Sequence, residues 1–358
     1  MNDNVNPEMI RLAREARGLT QTGLASAAFL TQATISKIES GVMDVSPHVL
    51  TAIANAVKMP EPFFFQNDPV YGAATSEFFH RKRQSVPVGV LSRIHAQINI
   101  QRMHVASLLR AVELPECRIP ALELTDFKGK PREVARAVRA TLNVGPGPIP
   151  NVVKVIEDAG GLVVPCAFGV YEVDAISRWV PGLPPMFYVN TSAPVDRFRM
   201  NLAHELAHMV MHRQPEPEME DQANVFAAEF LMPSAEIKPQ LYGLTLSKLA
   251  GLKPYWRTSM ASILMQAKDL KCISENTARY MWMHMAKRGY KKREPAELDL
   301  VPERPALLKE IIDFHRNELG YSIDDLSNAL KATPKDLMAL YGVEMSAPES
   351  RKQFRRVK

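Results

Sequence analysis

The chain has 358 residues, 46% of them hydrophobic and 23% charged, which gives apolar material for two or three domains and excludes a disordered polypeptide. No apolar run approaches the roughly 20 residues of a membrane span, and Met1-Asn2-Asp3-Asn4 lacks a signal-peptide layout, so a cytoplasmic protein with no membrane partner is expected. A formal net charge of +5 admits a polyanionic partner without demanding one, while three widely spaced cysteines, Cys117, Cys166 and Cys272, argue against a disulfide framework or a cysteine-held metal.

Residues 6 to 60 read as a run of short helices. The first spans Pro7 to Arg17 and stops at Gly18; the second starts at Thr20-Gln21 with Leu24 and Ala25 facing inward. The third runs from Thr31 through Ile35 and Ile38 to Gly41, a residue suited to a left-handed helix stop. Two more follow near Ser46 to Val57 and Pro60 to Phe65, and Thr20 and Thr31 are expected N-caps. Arg14, Gly18-Leu19-Thr20-Gln21, Leu24-Ala25 and Thr34-Ile35-Ser36-Lys37-Ile38-Glu39-Ser40-Gly41 make residues 1–68 resemble the Cro/C1-type (XRE) helix-turn-helix family.

That resemblance implies a domain for double-stranded DNA. Gln21 would donate to a phosphate, and Thr31, Gln32, Ala33, Thr34 and Lys37 would face the major groove. Gln32 suits adenine and the Ala33 methyl suits thymine. Arg14 and Glu39 are expected to pair internally, and a homodimer on a palindromic site is expected because one such motif makes few base contacts. One departure stands out: Phe29 occupies the turn position where the family usually has Gly. A bulky side chain disfavours positive φ, so an altered turn and a tilted third helix are expected.

Residues 69–114 read as a linker and spacer helix. They include a basic cluster, Phe78-Phe79-His80-Arg81-Lys82-Arg83, which reads as a solvated face or a phosphate contact. From 88 to 112, Val90, Leu91, Ile94, Ile98, Met103, Val105 and Leu108 recur at helical spacing. Residues 115–290 then combine helices over 131–142 and 151–159 with strands at Leu162 to Cys166, Ala175 to Trp179 and Met186 to Val189, forming a small sheet.

His204-Glu205-Leu206-Ala207-His208 follows in a stretch free of Gly and Pro. A four-residue step sets His204 and His208 on one helix face, roughly 6 Å apart, where two imidazoles can share one zinc ion. Glu205 lies beside them in the general-base position. His212 continues the face, but about 11–12 Å of helix separates it from His204, too far for a third ligand. A second helix, Glu220 to Pro233, puts Glu220, Ala223, Asn224 and Ala227 on one face. Ala203 and Ala207 opposite Ala223 and Ala227 would let the backbones approach and bring Glu220 to the zinc, with Asp221 as its competitor and Asn224 supporting the ligands. Glu229 lies off that face, and Glu216 and Glu218 lie in a loop.

Asp196-Arg197-Phe198-Arg199, Leu202-Ala203-His204-Glu205-Leu206-Ala207-His208, Met211-His212 and Glu220 to Pro233 make this region resemble the ImmA/IrrE family of zinc metallopeptidases. The resemblance carries over His204, His208 and Glu220 as ligands of Zn2+, in a gluzincin-like arrangement, with Glu205 as base. It implies a repressor-like protein substrate and a role in stress or in the induction of mobile DNA. Ala175 to Trp179 is the candidate edge strand for substrate, with Trp179 and Tyr188 as cleft residues. Tyr188, Arg197, Arg199 and His212 remain open as oxyanion donors.

Residues 245–289 read as a helical cap that echoes a helix-turn-helix at Leu249-Ala250 and Ser259 to Leu264. Residues 291–358 read as a C-terminal helical domain, with Leu326, Leu330, Leu337 and Leu340 at helical spacing, and a basic tail from Arg351 to Lys358. The expected fold is therefore mainly α with a small β-sheet (α+β): an N-terminal helix-turn-helix bundle, a zincin-like domain and a C-terminal helical domain. The expected function is a DNA-binding regulator carrying a zinc endopeptidase. Its rivals are a non-proteolytic transcription factor that uses the domain as sensor or scaffold, and an antitoxin-like regulator.

Overall fold

The computed structural model describes residues 4–72, 86–170, 173–191, 194–291 and 293–343. The basic cluster Phe78 to Arg83 and the tail Arg351 to Lys358 lie outside the described residues. The architecture is mainly helical around one small sheet, as expected. In chain order the helices are α1 (Pro7–Ala16), α2 (Gln21–Ala27), α3 (Gln32–Glu39), α4 (Pro47–Val57) and α5 (Val88–Leu108). They continue with α6 (Pro131–Thr141), α7 (Val152–Asp158), α8 (Val195–Met211), α9 (Met219–Leu231), α10 (Ser234–Ile237), α11 (Leu246–Trp256), α12 (Met260–Asp269) and α13 (Glu275–Lys287). The described chain closes with α14 (Leu307–Asn317), α15 (Ile323–Leu330) and α16 (Pro334–Tyr341). No described helix is long and apolar enough to cross a membrane.

The chain divides into two compact units. Among the described residues the first holds 4–72, 86–114 and 308–343. Its start follows the local signals: Thr20 accepts from Gly23 N and Thr31 from Thr34 N, each at the head of its helix. Leu24, Ile35, Ile38 and Ile53 fill the core, and Arg14 clamps α1 to α3 through Glu39 Oε1 (2.5 Å) and Oε2 (3.0 Å). The turn corrects one expectation. Phe29 adopts φ +57° despite its bulk, and Leu30 N closes the turn on Ala25 O at 2.8 Å. The ring is 96% exposed, so no packing is lost with the left-handed step, which carries only its own intraresidue cost.

α5 is the long helix that the spacing over 88–112 predicts. Every residue from Ile98 to Val105 is buried, so the helix is covered on all faces. Asn99 bonds both Tyr71 N and Tyr71 O (2.9 Å each), and Arg102 donates to Pro69 O (2.8 Å). The C-terminal helices complete this unit: Ser107 Oγ donates to Ala329 O (2.9 Å), His104 Nδ1 meets the Tyr341 hydroxyl (2.7 Å) and Arg17 pairs with Asp336 (2.9 Å).

α15 and α16 repeat the geometry of α2 and α3. Gly18 and Gly320, Phe29 and Lys331 all take positive φ, and the N-caps Ser322 and Thr333 stand at the spacing of Thr20 and Thr31. The faces differ in chemistry, because Asp324 and Asp325 open α15 and Pro334, Lys335 and Asp336 open α16.

The second unit, described within 115–307, is built on strands β1 (Leu162–Cys166), β2 (Ala175–Arg178) and β3 (Met186–Asn190) in the order β1-β3-β2. β1 runs parallel and β2 antiparallel to β3. The strands are buried almost throughout, as in a sheet covered on both faces, rather than alternating. α8 packs on β2 and β3, and α9 packs on α8. Ala203, Ala207, Ala223 and Ala227 are all fully buried, so small side chains do let the two backbones meet. Glu229 anchors α9 to α6 through Arg136 (2.9 Å) and Arg132 (3.2 Å).

Candidate metal centre and nucleic-acid face

α8 carries His204, Glu205 and His208, and α9 carries Glu220, Gln222 and Asn224. His204 Nε2 lies 3.0 Å from His208 Nε2 and 3.6 Å from Glu220 Oε2, and His208 Nε2 lies 3.3 Å from Glu220 Oε1. A tetrahedral zinc with bonds of about 2.0–2.1 Å requires ligand atoms about 3.3 Å apart. The residues therefore fit the ion. The donor set supports this independently: Glu220 Oε1 is buried without a hydrogen bond, inside a group of two imidazoles and a carboxylate within 4.8 Å of one another.

Burial pushes the His208 ring down to about 3, with only partial relief from Glu220. Burial also works against protonation of His204, but the adjacent Glu220 and the charges of Glu205 and Glu220 outweigh it and raise its pKa. Burial would raise Glu220, and its interaction with the two adjacent imidazoles overcomes that and holds it well below the usual carboxylate range.

Four side chains support the group. His204 Nδ1 faces Asn224 Oδ1 at 3.0 Å, His208 Nδ1 faces His212 Nδ1 at 2.9 Å, and His212 Nε2 faces Gln222 Oε1 at 2.9 Å. His212 caps α8 with an extended backbone (φ −112°, ψ 107°), its N–H still bonded to His208 O, so its ring stands one turn after that of His208 on the same face. Ser177 Oγ on β2 donates to Glu205 Oε2 at 2.5 Å. Asp221, Glu216 and Glu218 are exposed.

The remaining sequence candidates separate. Trp179 stands 39% exposed just past β2, while Tyr188 is fully buried within the sheet and its hydroxyl reaches Met186 Sδ (3.3 Å). Arg197 pairs with Asp174 (2.7 Å). Arg199, wholly buried, donates to Ile149 O (2.6 Å) and pairs with Glu303, whose other oxygen accepts from Val152 N (2.7 Å). Gln222 and Ser177 were not singled out by sequence reasoning as supports of the centre. Gln222 lies off the Glu220–Asn224 face and meets His212 across the two helices; Ser177 is a small polar residue in a buried strand, a weak signal.

In the first unit Thr31, Gln32, Ala33 and Lys37 are exposed, and Thr34 and Gln21 are half-buried. Gln32 Nε2 donates to Gln21 Oε1 (2.8 Å), and Gln21 Nε2 donates to Glu39 Oε2 (2.9 Å). The same Glu39 that holds Arg14 thus orders Gln21 at the head of α2 and, through it, Gln32 at the head of α3.

Residues 10–64 match the family model described as Helix-turn-helix, and residues 156–268 match the metallopeptidase family M78, described as IrrE N-terminal-like domain. Both resemblances read from the sequence hold, in that order along the chain. No curated protein matches the chain.

Proposed function

We propose that the protein is a cytoplasmic transcriptional regulator that binds double-stranded DNA as a homodimer and carries a zinc-dependent endopeptidase directed at a repressor-like protein. On this reading Gln21 contacts a phosphate, and Thr31, Gln32, Ala33, Thr34 and Lys37 face the major groove. His204, His208 and Glu220 hold the zinc, and Asn224 and His212 support it. Zinc bound there supplies Lewis-acid polarisation and makes a water acidic enough to attack near neutral pH. Glu205 takes the proton of the attacking water and later returns it to the leaving amine. Ser177 orients the Glu205 carboxylate, and β2, at the sheet edge, offers backbone groups to an extended peptide beside Trp179.

The observation that carries the enzymatic part is the convergence of the three donor atoms at tetrahedral spacing with Glu205 on the same helix. The test is elemental analysis of protein purified without added metal, wild type beside Glu220→Ala. About one zinc per chain, lost in the variant, supports the centre; a metal-free wild type that takes up none when offered contradicts it.

A second reading is favoured by one observation. Glu205 is only 2% exposed and already bonded to Ser177, as in a centre that senses or scaffolds rather than cuts. Regulation in cells that is unchanged in Glu205→Gln would select this reading.

A further inference from the structure

The hydrogen bonds around the imidazoles have a direction. The amide oxygens of Gln222 and Asn224 can only accept, so the ring nitrogens facing them, His212 Nε2 and His204 Nδ1, carry the hydrogens. A neutral His212 with its proton on Nε2 has an acceptor at Nδ1. The nitrogen facing that acceptor, His208 Nδ1 at 2.9 Å, must then be the donor. Both His204 and His208 are thereby left with lone pairs on Nε2, and these are the two nitrogens that stand 3.0 Å apart beside Glu220. Two facing lone pairs and a carboxylate repel one another unless a cation lies between them.

We propose that Gln222 and His212 form a two-step relay that fixes the tautomer of His208 and so prepares Nε2 to bind the metal, with Asn224 doing the same for His204 in one step. The proposal rests on the reading of His204, His208 and Glu220 as a metal site. It assigns Gln222 a positioning role that its sequence position conceals. His212 stands one helical turn after His208, as His208 does after His204, so the relay continues along the face that carries the two ligand candidates. Unlike a carboxylate partner, the His–Gln relay sets ring orientation without adding negative charge beside the centre.

The test is zinc affinity of the full chain, measured by competition with a chromophoric chelator, for wild type, His212→Leu, His212→Gln and Gln222→Leu. Loss of an outer hydrogen-bond partner weakens metal binding by about 10–100-fold. That loss is expected in His212→Leu and Gln222→Leu. His212→Gln, whose amide oxygen can accept from His208, is expected to recover to within a few-fold of wild type. Thermal unfolding of the metal-free variants shows whether each is folded.

In 15N-histidine-labelled, zinc-loaded wild type, the ring signals of His208 should report a protonated Nδ1 and a metal-bound Nε2, and those of His212 a protonated Nε2. This readout does not depend on any variant folding. Affinities of both leucine variants within twofold of wild type overturn the proposal, as does a His212→Gln no better than His212→Leu, or a His212 protonated at Nδ1. A wild type that binds no zinc instead overturns the metal reading itself, a separate and recognisable failure.

Discussion

His104 sits inside the first unit with Nδ1 against the Tyr341 hydroxyl and Nε2 buried without a hydrogen bond. Burial pushes its pKa down to about 4, and the nearby Asp336 charge recovers only part of the loss. The unfolded chain titrates near the ordinary value of about 6.5, so between the two values the unfolded state binds a proton that the folded state refuses. Stability therefore rises with pH across this window and is lost as pH falls through about 6.5 toward about 4. The loss comes to about 2–3 kcal/mol at about pH 4.5, a large share of a typical domain stability of about 5–15 kcal/mol. Urea unfolding of wild type and His104→Gln at neutral pH and at about pH 4.5 checks this. The gap between the two conditions should shrink by about that amount in the variant, and an unchanged gap would refute the assignment. Nothing in the sequence marks His104, because a histidine in an apolar helical run looks the same whether its ring is solvated or enclosed.

At the scale of elements, the sequence was most legible where the physics is local. Caps, glycine stops and the four-residue step of HELAH depend on neighbours within one or two turns, and the helix and strand starts follow them closely. Phe29 shows the limit. The preference for Gly at a left-handed position is real, but with the side chain exposed no packing is lost and only the intraresidue cost remains. A left-handed conformation costs a non-glycine residue about 1–2 kcal/mol, and replacing it with Gly returns about 0.5–1 kcal/mol to the unfolded chain as entropy. The balance predicts that Phe29→Gly stabilises the first unit by up to about 1 kcal/mol, because almost no packing is lost. A lower melting temperature in the variant would mean that the ring makes a stabilising contact. Glu220 was legible for a related reason, since four alanines announce the close approach of α8 and α9. His212 was legible as a neighbour on the same helix face, but Gln222 was not, because its meeting with His212 joins two helices and no local signal marks that contact.

At the scale of the whole molecule, chain order and spatial order part company. Residues 308–343 belong to the unit that begins the chain, and no periodicity could reveal this: an apolar stripe shows that a helix has a buried face and not which partner buries it. α15 and α16 reproduce the helix-turn-helix geometry, yet the head of α16, which corresponds to the residues of α3 that we propose face the groove, bonds inward through Asp336 to Arg17. Asp324 and Asp325 at the head of α15 would repel a phosphate where Gln21 and Thr22 open α2. The repeat thus serves the first unit as a structural part, and its integrity should govern DNA binding from the far end of the sequence. Leu337 is fully buried in α16, and truncating such a leucine costs about 3–5 kcal/mol once the cavity is counted. Leu337→Ala is therefore expected to lower the melting temperature of the first unit and weaken operator binding as measured at 37 °C. Zinc content should stay unchanged, since the centre belongs to the other unit. Intact DNA binding with a normal melting temperature would show that the C-terminal helices are dispensable to the reader; loss of zinc alone would show that they serve the second unit instead.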